Sequence, residues 1–353
     1  MNTLGHIFRL TTFGESHGTA IGGVIDGCPS QMKLDFEFVE SELQRRKTAQ
    51  TATASQRKES DKIEWLSGLL DGITLGTPIA FMVRNEDGKP EDYEALKDIY
   101  RPSHADFTYE QKYGLRDWRG GGRASARTTL PIVVAGAIAK QILKGEGITI
   151  TAEVMSMGDV EQAQKEGNTV GGIVECRIVG APAGLGEPMF NKFSAELAHA
   201  MFSLPAVKGF EIGDGFAMAG MKGSETNDTF INREDLGLGD ERRKTKDGSS
   251  IGLGAFCPQS LVPQSSAKIT TLTNHSGGIQ GGITNGNEVV FRVAFKPIPS
   301  ISMPQQTVNR VGEPCEIAIE GRHDVCALPR AVVLVEALAA MVTVDGMMLA
   351  NKL

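Results

Sequence analysis

Val133-Val134-Ala135-Gly136-Ala137-Ile138-Ala139-Lys140-Gln141-Ile142 is small and apolar on almost every side. It lies in the segment Ser125–Lys144, which only Pro131 breaks, and Ala331–Leu349 has the same character. A surface helix keeps a polar face, and a helix without one has to be covered from several directions. Two such helices in one chain predict a central helical layer enclosed by sheet, in an α/β protein of the α+β kind. Apolar alternation supplies strands for the covering layers at residues 7–13, 19–26, 62–70, 77–84, 172–180, 211–219 and 287–296. Residues 35–47 read as an amphipathic helix with Phe36, Val39 and Leu43 on one face. Thr48–Asp61 reads as a polar loop. Residues 84–120, crowded with charge and aromatic rings, read as a long functional loop. The polar, glycine-rich stretch around 225–270, with its basic knot Arg242–Lys246, reads as a surface insertion. With no internal repeat and no low-complexity linker, a single domain over residues 1–353 is expected.

The 353 residues carry 36 Lys plus Arg against 43 Asp plus Glu, a net charge of −7. Neutralising phosphates along a nucleic acid needs surplus Lys and Arg, so no nucleic-acid partner is expected. Glycine is the compositional outlier: 42 residues, about 12% of the chain against a usual ~7%. The backbone therefore needs tight turns, positive φ or close approach to something. Five cysteines, Cys28, Cys176, Cys257, Cys315 and Cys326, form no C-x-x-C pair, which argues against a disulfide framework and against a zinc or other metal site. The opening MNTLGHIFRL does not read as a signal peptide. Pro131–Ala139 and Ala331–Val344 fall short of the roughly 18–20 apolar residues of a membrane helix. A cytoplasmic, enzyme-sized protein without a membrane partner is expected.

Gly14-Glu15-Ser16-His17-Gly18 fits G-x-S-x-G, the nucleophile elbow of serine hydrolases. The context disagrees: an elbow joins a strand to a helix after several earlier strands, whereas only 13 residues precede Gly14 and a strand follows Gly18. A glycine turn with a solvated Ser and His is the plainer alternative. Arg101-Pro-Ser-His104-Ala-Asp106 opens a region with five arginines, Arg101, Arg116, Arg119, Arg123 and Arg127. Arginine forks match phosphate and carboxylate bidentately, although a salt-bridged surface loop would share this composition. Arg119-Gly-Gly-Gly-Arg123-Ala124-Ser125-Ala-Arg127 precedes the apolar helix. Its glycines let backbone N–H groups approach an anion and the helix start adds its dipole. It is not a P-loop, and no dinucleotide fingerprint stands between a strand and a helix. Asn274-His275-Ser-Gly-Gly-Ile-Gln-Gly281-Gly282, Lys296-Pro-Ile-Pro-Ser300 and Gly321-Arg322-His323-Asp324 complete the set. One site assembled from distant loops explains these five clusters better than five independent turns.

GESHG, RPSHAD, GGGRASAR and GRHD in this order and at these separations resemble the chorismate synthase family, from about residue 4 to residue 350. The resemblance implies anti-1,4-elimination of phosphate from 5-enolpyruvylshikimate 3-phosphate to give chorismate, the last step of the shikimate pathway. It implies a need for reduced FMN, with NADPH as a candidate reductant. It also implies a β-α-β sandwich with long helices between two antiparallel sheets, and a homotetramer. His104 is then the candidate acid beside the leaving phosphate, and His17 the residue that protonates or stabilises reduced flavin. By the same resemblance, Ser16 and Asp324 are expected to handle protons near the flavin ring. FMN contacts fall on Arg123, Ala124, Ser125, Pro205, Ala206, Gly281, Lys296, Pro297, Ile298, Pro299, Ser300 and Arg322, and an NADPH contact on Arg46. Arg45, Arg101, Arg127 and Arg330 are candidate substrate anchors. The chain departs from the family pattern at Ala124 (usually Ser), Ser103 (Gly), Val325 (Pro) and Pro205 (Asn). It also departs at Lys47–Gln50 and at Ala52, where an arginine is usual. Two other classes remain: a serine hydrolase using Ser16, and a flavin- or anion-binding protein without turnover.

Overall fold

Two helices that begin with the same dipeptide meet face to face at the centre of the protein. The computed structural model describes residues 2–48, 61–86, 90–232, 268–319 and 324–353. Its helices are α1 (Phe36–Thr48), α2 (Asp106–Tyr113), α3 (Leu130–Gly145), α4 (Val160–Lys165), α5 (Phe193–Phe202), α6 (Gly223–Thr226) and α7 (Leu328–Leu349). Pro131 and Pro329 stand in the first turns of α3 and α7. Pro131 therefore starts its helix instead of breaking it, because the first turn has no N–H bond to lose. The two helices meet closely at Gly136. A Cβ there would stand 2.2 Å from the Cβ of Ala337, so only glycine fits.

The sheets are antiparallel, and helices and sheets together make an α+β protein. One sheet has five strands in the order Thr3–Leu4, Arg9–Phe13, Ala20–Asp26, Ile79–Arg84, Glu64–Trp65. Thr11 lies opposite Val24, and Val24 opposite Ala80. A second, accompanied by four two-stranded ribbons among the described residues, has four, in the order Val207–Ile212, Val289–Phe295, Gly172–Val179, Thr149–Met157. Phe291 pairs with Cys176 there, and Val293 with Val174. Every second residue of Val289–Phe295 is buried, the period-2 pattern of a half-covered strand. Helix α3 packs on Arg9–Phe13 and Ala20–Asp26, α7 packs on Thr149–Met157 and Gly172–Val179, and α1 packs against both helices.

The charges that interrupt the apolar runs find each other. Glu336 of α7 accepts from Lys140 Nζ of α3 at 2.5 Å and from Arg45 of α1 at 2.7 and 3.0 Å. Glu42 joins the same cluster through Arg45 and Lys140. Burial would push Glu336 upward, but Arg45 and Lys140 hold its carboxyl below the usual range. A second long-range tie joins α7 to a turn near the first strands. Buried Asp345 accepts the backbone N–H of His6 at 2.8 Å, of Ile7 at 2.7 Å and of Phe8 at 3.0 Å.

Several expectations need correction. Residues 84–120 are not one loop: they include 3-10 turns at Pro90–Leu96 and Arg119–Ala124 and helix α2. The run 62–70 holds only the two-residue strands Glu64–Trp65 and Leu69–Leu70. The strand expected at 211–219 lies at Val207–Ile212, and Gly215–Gly220 is a 3-10 turn. Helix α7 has 22 residues and is long and apolar enough to cross a membrane, longer than its sequence run suggests; 78% of its most apolar window is buried inside the fold. Of the insertion around 225–270, residues 233–267 lie outside the described residues. Its edges form α6 and a hairpin pairing Phe230–Asn232 with Ile269–Thr271.

Candidate active site

Gly120, Gly121 and Gly122 all have positive φ, 60°, 82° and 54°, a run that side-chain-bearing residues rarely adopt. The run bends the chain between two histidines. A Cβ on Gly120 would fall 2.1 Å from Cε1 of His17, and one on Gly121 3.2 Å from Cε1 of His104. The Ser16 hydroxyl lies 3.1 Å from Nδ1 of His17 and 3.2 Å from the Gly120 carbonyl, to which it can donate. The His17 ring meets Tyr93 edge to face at 5.1 Å. Ser16 is only 1% exposed.

His104 sits in a charged nest. Its Nδ1 is 3.0 Å from Asp106 Oδ1 and 3.1 Å from Arg101 Nη2. Arg101 donates to Asp106 through Nε at 2.7 Å and through Nη2 at 2.8 Å, and Arg116 adds a contact at 3.3 Å. Burial would raise the Asp106 pKa, but hydrogen bonds from Arg101 and His104 and their charges hold it well below the usual carboxylate range. Arg101 is 6% exposed, so the guanidinium expected to anchor substrate is committed to the nest.

These residues line a cleft of about 1830 Å³. Elsewhere in it, Arg46, Lys47 and Arg127 converge on buried Asp61 at 3.7, 3.3 and 3.1 Å. Arg330 pairs with Asp324 at 3.0 Å, while its buried Nη2 has no hydrogen-bond partner among the described residues. Among the described residues, these four cations contact two carboxylates, Asp61 and Asp324. Burial pushes Arg46 down from the usual arginine value, Asp61 opposes that shift, and neighbouring Arg330 adds to it. Arg123 donates to the Gly14 carbonyl at 3.1 Å and to the Thr12 hydroxyl at 2.7 Å, tying the glycine bend to the five-stranded sheet.

The cleft also gathers Ala124, Ser125, Pro205, Ala206, Lys296, Ile298, Pro299 and Ser300. Two bonds assemble the last group: Lys296 N donates to Ala206 O at 2.9 Å, and Thr169 Oγ1 to Ile298 O at 2.7 Å. Lys296 Nζ reaches the Ser103 hydroxyl at 2.6 Å and its carbonyl at 2.9 Å. Ser103 itself has φ +59°, in the region where the resemblance expects glycine. Burial and Lys208 lower the Lys296 pKa. Pro297 is exposed and does not line the cleft. Ser16 and His17 pack on glycines that line it but are not themselves in its wall.

Besides Pro297, two expected residues, Arg45 and Gly281, are not brought here. Arg45 is turned into the Glu42–Glu336–Lys140 cluster, because successive helical residues point about 100° apart and α1 gives Arg46 to the cleft. Gly281, with φ +62°, lies in the turn between the paired segments Ile279–Gln280 and Ile283–Thr284. Arg322 lies outside the described residues. The sequence reading passed over Asp61, Asn85 and Tyr93. Asn85 accepts from Arg127 Nε at 2.6 Å and donates to the carbonyls of Glu15 and Gly18. Asp61 carried a readable signal, an acid closing a polar stretch, two residues after Glu59, in a chain with an arginine-rich site.

Comparison with known proteins gives one family. The chorismate synthase family model matches residues 8–163 and 157–348. A chorismate synthase from Opitutus terrae is 45% identical, covering 98% of this chain and 96% of its own. One from Porphyromonas gingivalis is 46% identical, covering 98% and 95%. A solved structure described as a crystal structure of chorismate synthase superposes with a TM-score of 0.70 at 27% identity, covering 98% of this chain and 93% of its own.

Proposed function

Because this chain belongs to the chorismate synthase family, we propose that its cleft binds 5-enolpyruvylshikimate 3-phosphate beside reduced FMN and that its own residues drive phosphate out. The chain is a carbon–oxygen lyase of that family. The observation that carries the residue assignment is the buried Nη2 of Arg330, which has no hydrogen-bond partner among the described residues. A buried donor without an acceptor is costly, and an anionic ligand would supply the acceptor.

The residues fit both groups. The substrate carries one phosphate and two carboxylates, and Arg46, Arg127 and Arg330 supply forks for them. A cleft of about 1830 Å³ exceeds the ~300–1,000 Å³ of an ordinary single-ligand site, leaving room for a flavin as well. Arg123, Ala124, Ser125, Pro205, Ala206, Lys296 and Ile298–Ser300 are the proposed flavin walls. Reduced FMN would supply the electron density that lets a barely acidic C–H be lost without net redox change. His104 is the proposed acid for the departing phosphate: a proton delivered there removes charge that would otherwise build on the leaving oxygen. His17, fixed by Ser16 and Tyr93, is the proposed proton carrier on the flavin side, with Asp324 assisting. Arg46 is the residue to examine for NADPH.

Several coarser properties are proposed with this reading. The chain forms one domain over residues 1–353 carrying the 225–270 insertion. Its helices α3 and α7 lie between the two large sheets as a layered sandwich, which the packing of α3 on strands of both sheets and of α7 on the four-stranded one supports. A cytoplasmic homotetramer is proposed by family analogy. The test is a strictly anaerobic assay with dithionite-reduced FMN. Many chorismates should form per flavin. One product per flavin oxidised would overturn the proposal, as would labelling of Ser16 by an organophosphate with no flavin dependence.

A further inference from the structure

We propose that Asp106, clamped by Arg101 and Arg116, is the positioning residue of His104: it holds the proton on Nδ1 and leaves Nε2 as the nitrogen that works in the cleft. The inference rests on the proposed role of His104 and adds the device that makes one of its two nitrogens the acid.

The argument starts from the two ring nitrogens. Nδ1 faces an acceptor-only carboxylate at 3.0 Å and a donor-only guanidinium at 3.1 Å. These ask for opposite tautomers. The carboxylate prevails because a charge-assisted bond from Nδ1–H to an ionised acceptor is the stronger contact. A bare Nδ1 lone pair would face that negative oxygen 3.0 Å away. Asp106 is kept ionised by Arg101 and His104 against the pull of burial. Its two oxygens are filled: Oδ2 takes Arg101 Nε and the Arg101 backbone N–H, and Oδ1 takes Arg101 Nη2, Arg116 Nη1 and His104. Arg116 is itself fixed by the carbonyls of Leu96, Lys97 and Ile99 at 2.8–3.0 Å. The carboxylate cannot swing away from the imidazole without abandoning buried arginines.

The other nitrogen is treated oppositely. A Cβ on Gly121 would lie 3.4 Å from Nε2, and the absence of that atom leaves the edge of the ring clear. Other charge near the nest comes from Glu110, which contacts Arg116 at 3.4 Å and Arg310, and from Lys296 on Ser103. When Nε2 gives its proton to a leaving oxygen, the neutral ring that remains carries its proton on Nδ1. Asp106 favours that product tautomer, as an orienting carboxylate does behind other catalytic imidazoles.

The test is Asp106→Asn with ¹⁵N labelling of histidine, read first without substrate or flavin. The chain has six histidines, and His104→Gln assigns the signal. In the wild type the neutral His104 ring should carry its proton on Nδ1. In Asp106→Asn, where an amide N–H can face Nδ1, the population should move to the Nε2–H form. Turnover should fall by at least about 10-fold and by up to ~10⁴-fold, the cost of the wrong tautomer behind a catalytic imidazole, with KM little changed. Asp106→Glu should restore part of both signals. Should Asp106→Asn not fold, the wild-type spectrum still decides, because a neutral ring protonated on Nε2 overturns the proposal. An unchanged tautomer in a folded Asp106→Asn also overturns it. A shifted tautomer with undiminished turnover would leave the positioning intact and remove His104 from the chemistry, which is a failure of the functional reading instead.

Discussion

The imidazole of His104 closes on the bare Cα of Gly121: a Cβ built there would stand 3.2 Å from Cε1 and 3.4 Å from Nε2. Gly121→Ala would also hold alanine at φ +82°, which costs about 1–2 kcal/mol. The variant should stay folded, with a lower denaturant midpoint, while its turnover falls by far more than its stability. Gly120→Ala should be worse, because its Cβ would meet the His17 ring at 2.1 Å. Equal, wild-type turnover in both variants would show that the bend does not set the histidines.

Arg45 and Arg46 should separate stability from binding. Arg45→Ala strips two hydrogen bonds from buried Glu336, and should cost about 1–3 kcal/mol in urea unfolding with ligand affinity unchanged. Arg46→Ala should do the reverse, weakening the ternary complex of FMN and phosphorylated substrate about 10-fold or more. Titration calorimetry and denaturation of both variants check the split. Matching losses in both would contradict the placement of the two side chains.

Acid should expose the Asp106 nest. Burial raises the carboxyl and Arg101 and His104 more than offset it, so the folded value lies below the usual range. An unfolded Asp titrates near ~3.9. A depressed folded value means that this stability is fully present above about pH 5 and is lost as pH falls through about 4 and lower. Asp106→Asn should therefore be less stable than wild type at pH 7, and the gap should narrow towards pH 3. Parallel stability curves would refute the ion-pair account.

His104→Ala and His17→Ala should each lower turnover by ~10²–10⁴-fold, the range of a positioned acid or base, without loss of fold. His104→Ala should slow phosphate release in anaerobic single turnover. His17→Ala should change the absorbance of bound reduced FMN and leave substrate affinity near wild type. Wild-type rates in either variant would exclude that histidine.

The central helices were legible because Gly136, Ala137, Ala139 and their neighbours offer no polar face, and that pattern has one physical solution. The strand Thr149–Met157 was not read because it lies at the edge of its sheet and buries little. Helix α5 was passed over although Phe193, Leu197, Ala200 and Met201, all buried, follow helical spacing. At the cleft, the glycine and histidine clusters pointed to their own convergence. What one dimension hides is direction: Arg45 and Arg46 are indistinguishable in a row of letters, and the commitment of Arg101 to Asp106 depends on a turn closing over five residues. Lys140 and Glu336 looked like interruptions of apolar runs because neither run shows the other.

Asp345 gives the turn at His6–Phe8 its acceptors across more than 330 residues of chain. During synthesis that turn is made early and then waits for α7 to emerge before its N–H groups can be satisfied inside protein. The five-stranded sheet, whose second strand begins at Arg9, therefore cannot lock in the order in which it is translated. A ribosome-bound chain stalled before residue 345 should leave these N–H groups open to hydrogen exchange, and release of α7 should protect them in a single late event.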